Sequence, residues 1–131
     1  AYVVASAILA DTYASKRLAF GYVGYQGDWP EQTGEAISSL RCVLAELGTD
    51  LLLPVYDIQS RDMAENELSS HGLSANALEQ KCIRQVMNSK LPPDKLAEQI
   101  RLWEHAMRSS LGKKGSIRIE VIEAGKLSAF A

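Results

Sequence analysis

The sequence is poor in the side chains that most often carry out catalysis or bind metals. It contains two histidines, His71 and His105, and two cysteines, Cys42 and Cys82. Neither cysteine belongs to a Cys-x-x-Cys pair, and two histidines are too few to complete a zinc-finger pattern. We therefore predict no metal site and no cofactor. Both cysteines are expected to be buried free thiols, with a disulfide as the alternative.

Strong net charge and long apolar runs are also missing. The 14 basic and 16 acidic residues give a net charge of -2, so the chain as a whole does not attract nucleic acid or an anionic membrane. The apolar run that starts at Tyr2 ends before Asp11, whereas a membrane span needs about twenty apolar residues. We expect a soluble protein with neither a membrane nor a nucleic acid as its partner. Its compartment stays open, with the cytoplasm favoured.

The composition is that of an ordinary globular protein. Of the 131 residues, 47% are hydrophobic and 23% are charged, which argues against disorder along the whole chain. A chain of this length can bury one sizeable core and does not need a second. Residues 1–131 are therefore predicted to form a single globular domain.

Helical periodicity dominates the first half of the chain. Residues 2 to 20 are predicted to form a buried helix that ends at Gly21. A second helix begins either at Asp28-Trp29-Pro30-Glu31, where an acid precedes a proline, or at Thr33, because a glycine near a helix start is unfavourable. Gly48 is expected to end this helix. Its apolar face has helical spacing and consists of Ile37, Leu40, Leu44 and Leu47.

The segment from Leu51 to Ile58 has two interpretations. Its apolar run suits a buried strand, whereas Thr49 as a cap and Pro54 in an early turn suit a helix that continues to about Ser70. We favour the helix. The part beyond residue 60 is rich in charged side chains, so most of its surface is expected to be solvated.

The second half is predicted to contain two more helices and a hairpin. An apolar stripe covers residues 78–88, and Leu91-Pro92-Pro93-Asp94 opens a helix whose Glu104 and Arg108 are expected to pair. The apolar face of that helix consists of Leu96, Ile100, Trp103, Met107 and Leu111. Apolar and polar residues alternate from residue 116 to residue 121, and residues 116–130 are predicted to form a hairpin. The predicted fold is mainly α, at the margin of α+β: a compact bundle of four to five helices with a short C-terminal β-hairpin.

Candidate catalytic groups are few. Glu67 and His71 could share one helix face, but a zinc site needs at least one more ligand. His71 is expected at the surface in a capping role, and His105 is expected to be a partly exposed structural residue. Four carboxylates precede His71 in the sequence and are expected to form a solvated ion-pair face: Asp57, Asp62, Glu65 and Glu67. We assign no catalytic residue, and we keep a small enzyme or ligand-binding protein that uses His71 or His105 as an alternative.

Residues 62–88 have the outline of a helix-turn-helix, with two helices joined by a short turn at Gly72. The second of these helices has few basic side chains in its first turns, since Lys81 and Arg84 lie further along. The first helix carries several acids that would repel phosphates. A DNA-binding regulator is therefore a second alternative and not the favoured function.

The segment from Gly21 to Trp29, which we call the Gly/Tyr loop, combines three glycines with Tyr22, Tyr25 and Trp29. Its glycine spacing matches no nucleotide or phosphate motif. Large aromatic side chains are enriched at the centres of protein interfaces, although these three could instead fold back over the core. We predict a non-enzymatic interaction module, regulatory or adaptor in kind, that binds a protein partner or a second copy of itself through this loop or the hairpin.

Overall fold

The computed structural model of the protein describes residues 2–74 and 90–117. These residues are mostly helical and include a small parallel sheet of two strands. In chain order the elements are α1 Tyr2–Thr12, β1 Arg17–Ala19, α2 Gly34–Ala45, β2 Asp50–Leu52, α3 Arg61–Ser70 and α4 Pro93–Gly112. Short 3-10 turns cover Gly24–Gln26, Pro30–Gln32 and Lys114–Ser116.

Helix α1 is shorter than the sequence predicts. It buries Ala7, Ile8 and Ala10, but it ends at Thr12, so the predicted end at Gly21 is wrong. Ala14 follows in the left-handed region with a φ of 53°. The N–H of Ser15 donates to the carbonyl of Ala10 at 2.8 Å, which completes a Schellman-type end. An alanine rarely takes this conformation, and the sequence therefore offers no signal for the break.

The chain beyond α1 is extended because it pairs with a distant strand. Strands β1 and β2 are parallel, with Leu18 opposite Leu51, and α2 lies between them in the chain. The ladder continues past β1, since the N–H of Phe20 donates to the carbonyl of Leu52 at 3.0 Å. The favoured helix over residues 51–58 is therefore wrong, and the strand alternative holds for Asp50–Leu52.

Helix α2 begins at the later of its two predicted starts. The hydroxyl of Thr33 accepts a hydrogen bond from the N–H of Ala36 at 3.3 Å, whereas Pro30–Gln32 form a separate 3-10 turn. Gly48 lies just beyond the helix with a φ of 67°, a conformation that costs glycine little. The predicted stop at this glycine is thus confirmed in the turn that follows α2.

The core joins α1, α2, β2 and the end of α4. Leu44 is completely buried, and Val43 is 1% exposed. The buried cluster consists of Ala7, Ile8, Ile37, Leu40, Val43, Leu44, Leu51 and Leu111. Helix α3 contributes no buried residue, so the predicted solvated character of this segment is confirmed.

Helix α4 runs from Pro93 to Gly112, as the paired prolines and the closing glycine predict. Trp103, however, is half-buried and not a core residue. The predicted pair between Glu104 and Arg108 is also wrong. Glu104 accepts a hydrogen bond from the hydroxyl of Ser39 at 2.5 Å, and Arg108 pairs with Glu46. Both partners lie on or next to α2, which packs along α4 and offers closer groups than the next helical turn.

Cys42 is an exposed free thiol, so its predicted burial is wrong. It follows the buried Leu40 by two positions and lies on the solvent side of α2. Cys82, the helix predicted over residues 78–88 and the predicted hairpin after Ile117 lie outside the described residues, whereas Ser116, the first residue of that predicted hairpin, lies in a 3-10 turn. Within residues 2–74 and 90–117, none of the helices combines the length and apolar character that a membrane span requires.

Candidate binding groove

An apolar groove lies between α1 and α4, which pack against each other. Its volume is about 550 Å³, within the range of roughly 300 to 1,000 Å³ that ligand sites usually have. From α1 come Tyr2, Val3 and Val4; from α4 come Trp103, Ala106, Met107 and Ser110; and the lining is completed by Tyr22, Glu31, Leu40 and Ile117. This cavity is called the groove below.

Two aromatic residues of the groove lining, Tyr2 and Tyr22, both pack against the ring of Phe20. The ring of Phe20 meets the edge of Tyr2 with centroids 5.7 Å apart, and it stacks on Tyr22 at the same distance. The hydroxyls of Tyr2 and Tyr22 are hydrogen-bonded to each other. Burial, together with this hydrogen bond and the nearby Glu31 carboxylate, raises the pKa of the Tyr22 phenol well above its ordinary value. Tyr22 therefore stays neutral over the physiological range.

Glu31 brings a negative charge to this otherwise uncharged lining. It belongs to the 3-10 turn Pro30–Gln32 and is half-buried. Among the described residues that line the groove, it is the one charged side chain. Within residues 2–74 and 90–117 its carboxylate has neither a hydrogen-bond donor nor a counterion. The groove therefore combines aromatic and aliphatic walls with one unpaired carboxylate.

The Gly/Tyr loop is held in place by a buried glutamine. Gln32 is 6% exposed; its side-chain oxygen accepts from the N–H of Val23 at 3.0 Å, and its amide donates to Gln26 at 2.9 Å. Gly24 lies so close to the following segment that a Cβ there would be 2.6 Å from the carbonyl oxygen of Tyr56. The loop therefore has a defined conformation and packs against the turn after β2.

The three aromatic residues of the loop have different surroundings. Tyr22 is half-buried, packs against the core cluster and lines the groove. Tyr25 is 39% exposed and lies in the 3-10 turn Gly24–Gln26. Trp29 is half-buried, and its indole N–H is buried without a hydrogen-bond partner in the described ranges. Of the three predicted contact residues, the structure therefore brings one into the groove.

The histidines do not lie in this groove. His71 is the C-cap residue of α3, and its Nε2 is 3.2 Å from Glu67 Oε1 on an exposed surface. His105 is exposed on α4. Arg61 pairs with Glu65 at 2.7 Å across the exposed face of α3, as predicted for this run of charges. No cluster of three potential metal ligands occurs within the part of the chain that the structure describes.

Several groove residues were not singled out from the sequence as binding residues. Trp103 and Met107 share the apolar face of α4, and the same periodicity indicates a core position and a groove wall equally well. The sequence pattern places Glu31 at a helix start. It places Val3 and Val4 in a buried helix, although both are half-buried. Only the packing of α1 against α4 distinguishes these roles.

Of the helix-turn-helix predicted over residues 62–88, the structure describes the part up to Ser74, which includes most of α3, and the rest lies outside the described residues. No known protein family, curated protein or solved structure matches this chain. We therefore infer the function from the groove and the residues around it.

Proposed function

We propose that the protein is a non-enzymatic interaction module whose groove binds an apolar segment of a partner protein. The groove is the observation that carries this proposal. Its walls contain Tyr2, Tyr22, Trp103 and Met107, and aromatic residues and methionine are enriched at interfaces. Tyr22 links the groove to the Gly/Tyr loop, whose aromatic residues predict a contact surface.

The chemistry of the groove supports binding more than catalysis. An active site needs an acid and base, a nucleophile or a metal in convergent positions. The described lining offers one carboxylate, two tyrosine hydroxyls and Ser110, with neither histidine beside them. Apolar walls with few polar groups are what a partner's hydrophobic side chains require.

The other parts of the predicted contact surface remain part of the proposal. Tyr25 and Trp29 stay candidate contact residues at the loop. The predicted hairpin over residues 116–130 includes Ile117, which lines the groove, and its edge stays a candidate contact surface. A homodimer, with a second copy in the groove, is the version in which the partner is this same chain.

A substitution that fills the groove tests the proposal. Ala106 is exposed and lines the groove, so Ala106→Trp should occupy it without disturbing the core. Peptides selected on the unchanged protein from a random library should bind this variant at least about tenfold more weakly, a loss of about 1.4 kcal/mol. Titration calorimetry measures the loss.

The matched control is Ala97→Trp, which adds the same side chain to an exposed position of α4 outside the groove. It should leave the affinity unchanged. Equal affinity of the selected peptides for the unchanged protein and Ala106→Trp would contradict the proposal. Self-association that Ala106→Trp abolishes, measured by light scattering, would identify a second copy as the partner.

A further inference from the structure

We propose that the groove recognises an arginine of the partner, which pairs with Glu31 while the neighbouring apolar side chains of the same segment fill the groove. This inference rests on the proposed function and specifies the chemistry of the partner. It is carried by the unpaired carboxylate of Glu31 and by the aromatic side chains in the same lining.

The position of Glu31 favours a cation. A carboxylate in a partly desolvated, apolar setting is unfavourable unless a counterion or hydrogen-bond donors compensate for the lost water. Glu31 has none within residues 2–74 and 90–117. Other carboxylates among the described residues already have cations, such as Asp28 with Lys90 at 2.8 Å and Asp11 with Lys114 at 2.8 Å. Because Glu31 is half-buried and lines the groove, it is the carboxylate that a cation bound in the groove would pair with.

The surroundings of Glu31 favour arginine over lysine. A guanidinium can form two parallel hydrogen bonds with a carboxylate, and it stacks on aromatic faces. The Glu31 carboxylate lies near enough to Tyr22 to contribute to the raised pKa of its phenol. Tyr2 and Trp103 line the same groove. A guanidinium that pairs with the carboxylate would thus lie among aromatic side chains, where cation–π attraction adds to the ion pair.

The same charge argues against other occupants. A fatty acid, a phosphate group or an anionic lipid would bring a second negative charge next to Glu31 and would be repelled. A purely apolar ligand would fill the walls but leave the carboxylate desolvated and unpaired. A peptide segment with one arginine between apolar residues satisfies both parts of the groove.

Two short blocked peptides of leucine, alanine and phenylalanine test the inference. They are identical except that one has a central arginine and the other has citrulline, which is neutral and of nearly the same shape. The arginine peptide should bind at least about fivefold more tightly at low salt, and this preference should shrink as salt screens the charges. Fluorescence anisotropy of the labelled peptides measures both affinities.

The variant Glu31→Gln removes the charge and keeps the shape, so it should abolish the preference for arginine while the citrulline peptide binds as before. Glu35→Gln is the control, since Glu35 is exposed on the first turn of α2 and does not line the groove. A preference that persists in Glu31→Gln, or equal binding of both peptides to the unchanged protein, would overturn the arginine inference and leave the groove proposal intact. Failure of both peptides to bind, or binding that Ala106→Trp does not weaken, would overturn the two together.

Discussion

Helices α2 and α3 begin in the same way and contribute differently to the fold. In each, a hydroxyl caps the first turn: Thr33 accepts from the N–H of Ala36 at 3.3 Å, and Ser60 accepts from the N–H of Met63 at 3.1 Å. Helix α2 then buries five of its residues, whereas α3 buries none. Local signals therefore start a helix, and the burial of one face determines whether that helix holds the fold together.

The sharpest test of this difference is a leucine deletion on each helix. Leu44 is completely buried. Leu44→Ala should lower the free energy of unfolding by about 2 to 5 kcal/mol because it leaves a cavity. Leu68 on α3 is 37% exposed, and Leu68→Ala should cost less than about 1 kcal/mol. Urea denaturation followed by circular dichroism measures both values. Equal losses would show that α3 belongs to the core.

A second test concerns the segment that leads from β2 to α3. Because a Cβ at Gly24 would lie 2.6 Å from the carbonyl oxygen of Tyr56, Gly24→Ala should cost about 1 to 3 kcal/mol as an overpacking change. Gly21→Ala is the control in the same loop, since nothing lies within 4 Å of its added Cβ. Thermal unfolding should separate the two variants. Similar melting temperatures would mean that this segment is as loosely held as α3.

The caps allow a smaller test of the same comparison. Thr33→Ala should lower the global stability by about 1 kcal/mol, since it removes the cap of a helix whose face is buried. Ser60→Ala removes the matching cap of α3, and we expect it to loosen that helix locally while the global stability changes by less than about 0.5 kcal/mol. Amide hydrogen exchange distinguishes local from global opening. The opposite order of effects would reverse the roles assigned to the two helices.

The smallest expected effect is the titration of Tyr22. Burial and its hydrogen bond with Tyr2 raise the pKa of this phenol. In an unfolded chain a tyrosine loses its proton at about pH 10, whereas in the folded protein Tyr22 is still neutral at that pH. Its contribution to stability is present below that pH and is lost as the pH rises further. Absorbance of phenolate between pH 9 and 12 follows the ionisation of the five tyrosines. Tyr22→Phe should remove the ionisation step that occurs at the highest pH. Loss of a step at lower pH would contradict the assignment.

Part of this architecture was predictable because it depends on neighbours in the sequence. Paired prolines and a closing glycine predict α4, and helical spacing identifies Ile37, Leu40 and Leu44 as the buried face of α2. The charged run after Ser60 predicts a solvated helix. In each case the physical cause is local: a cap, a fixed φ, or apolar residues repeated on one side.

The groove was only partly predictable for the opposite reason. The aromatic content of the Gly/Tyr loop predicts Tyr22 as a contact residue, and Tyr22 does line the groove. Glu31 and Trp103 line the groove as well. In the sequence, however, a carboxylate after a proline indicates a helix start, and a tryptophan on an apolar stripe indicates a core position. Their shared surroundings exist only once α1 lies against α4.

The sequence by itself determined where α4 begins and ends, that Gly48 follows α2, and which face of α2 is apolar, because those features depend on residues within a few turns. Tertiary structure alone decided that Arg17–Ala19 is a strand, since its partner Asp50–Leu52 lies beyond a whole helix in the chain. It also directed Glu104 and Arg108 towards α2 instead of each other. Long-range pairing and packing override local preference wherever the competing local energies are small, and the groove beside Glu31 is a product of that packing.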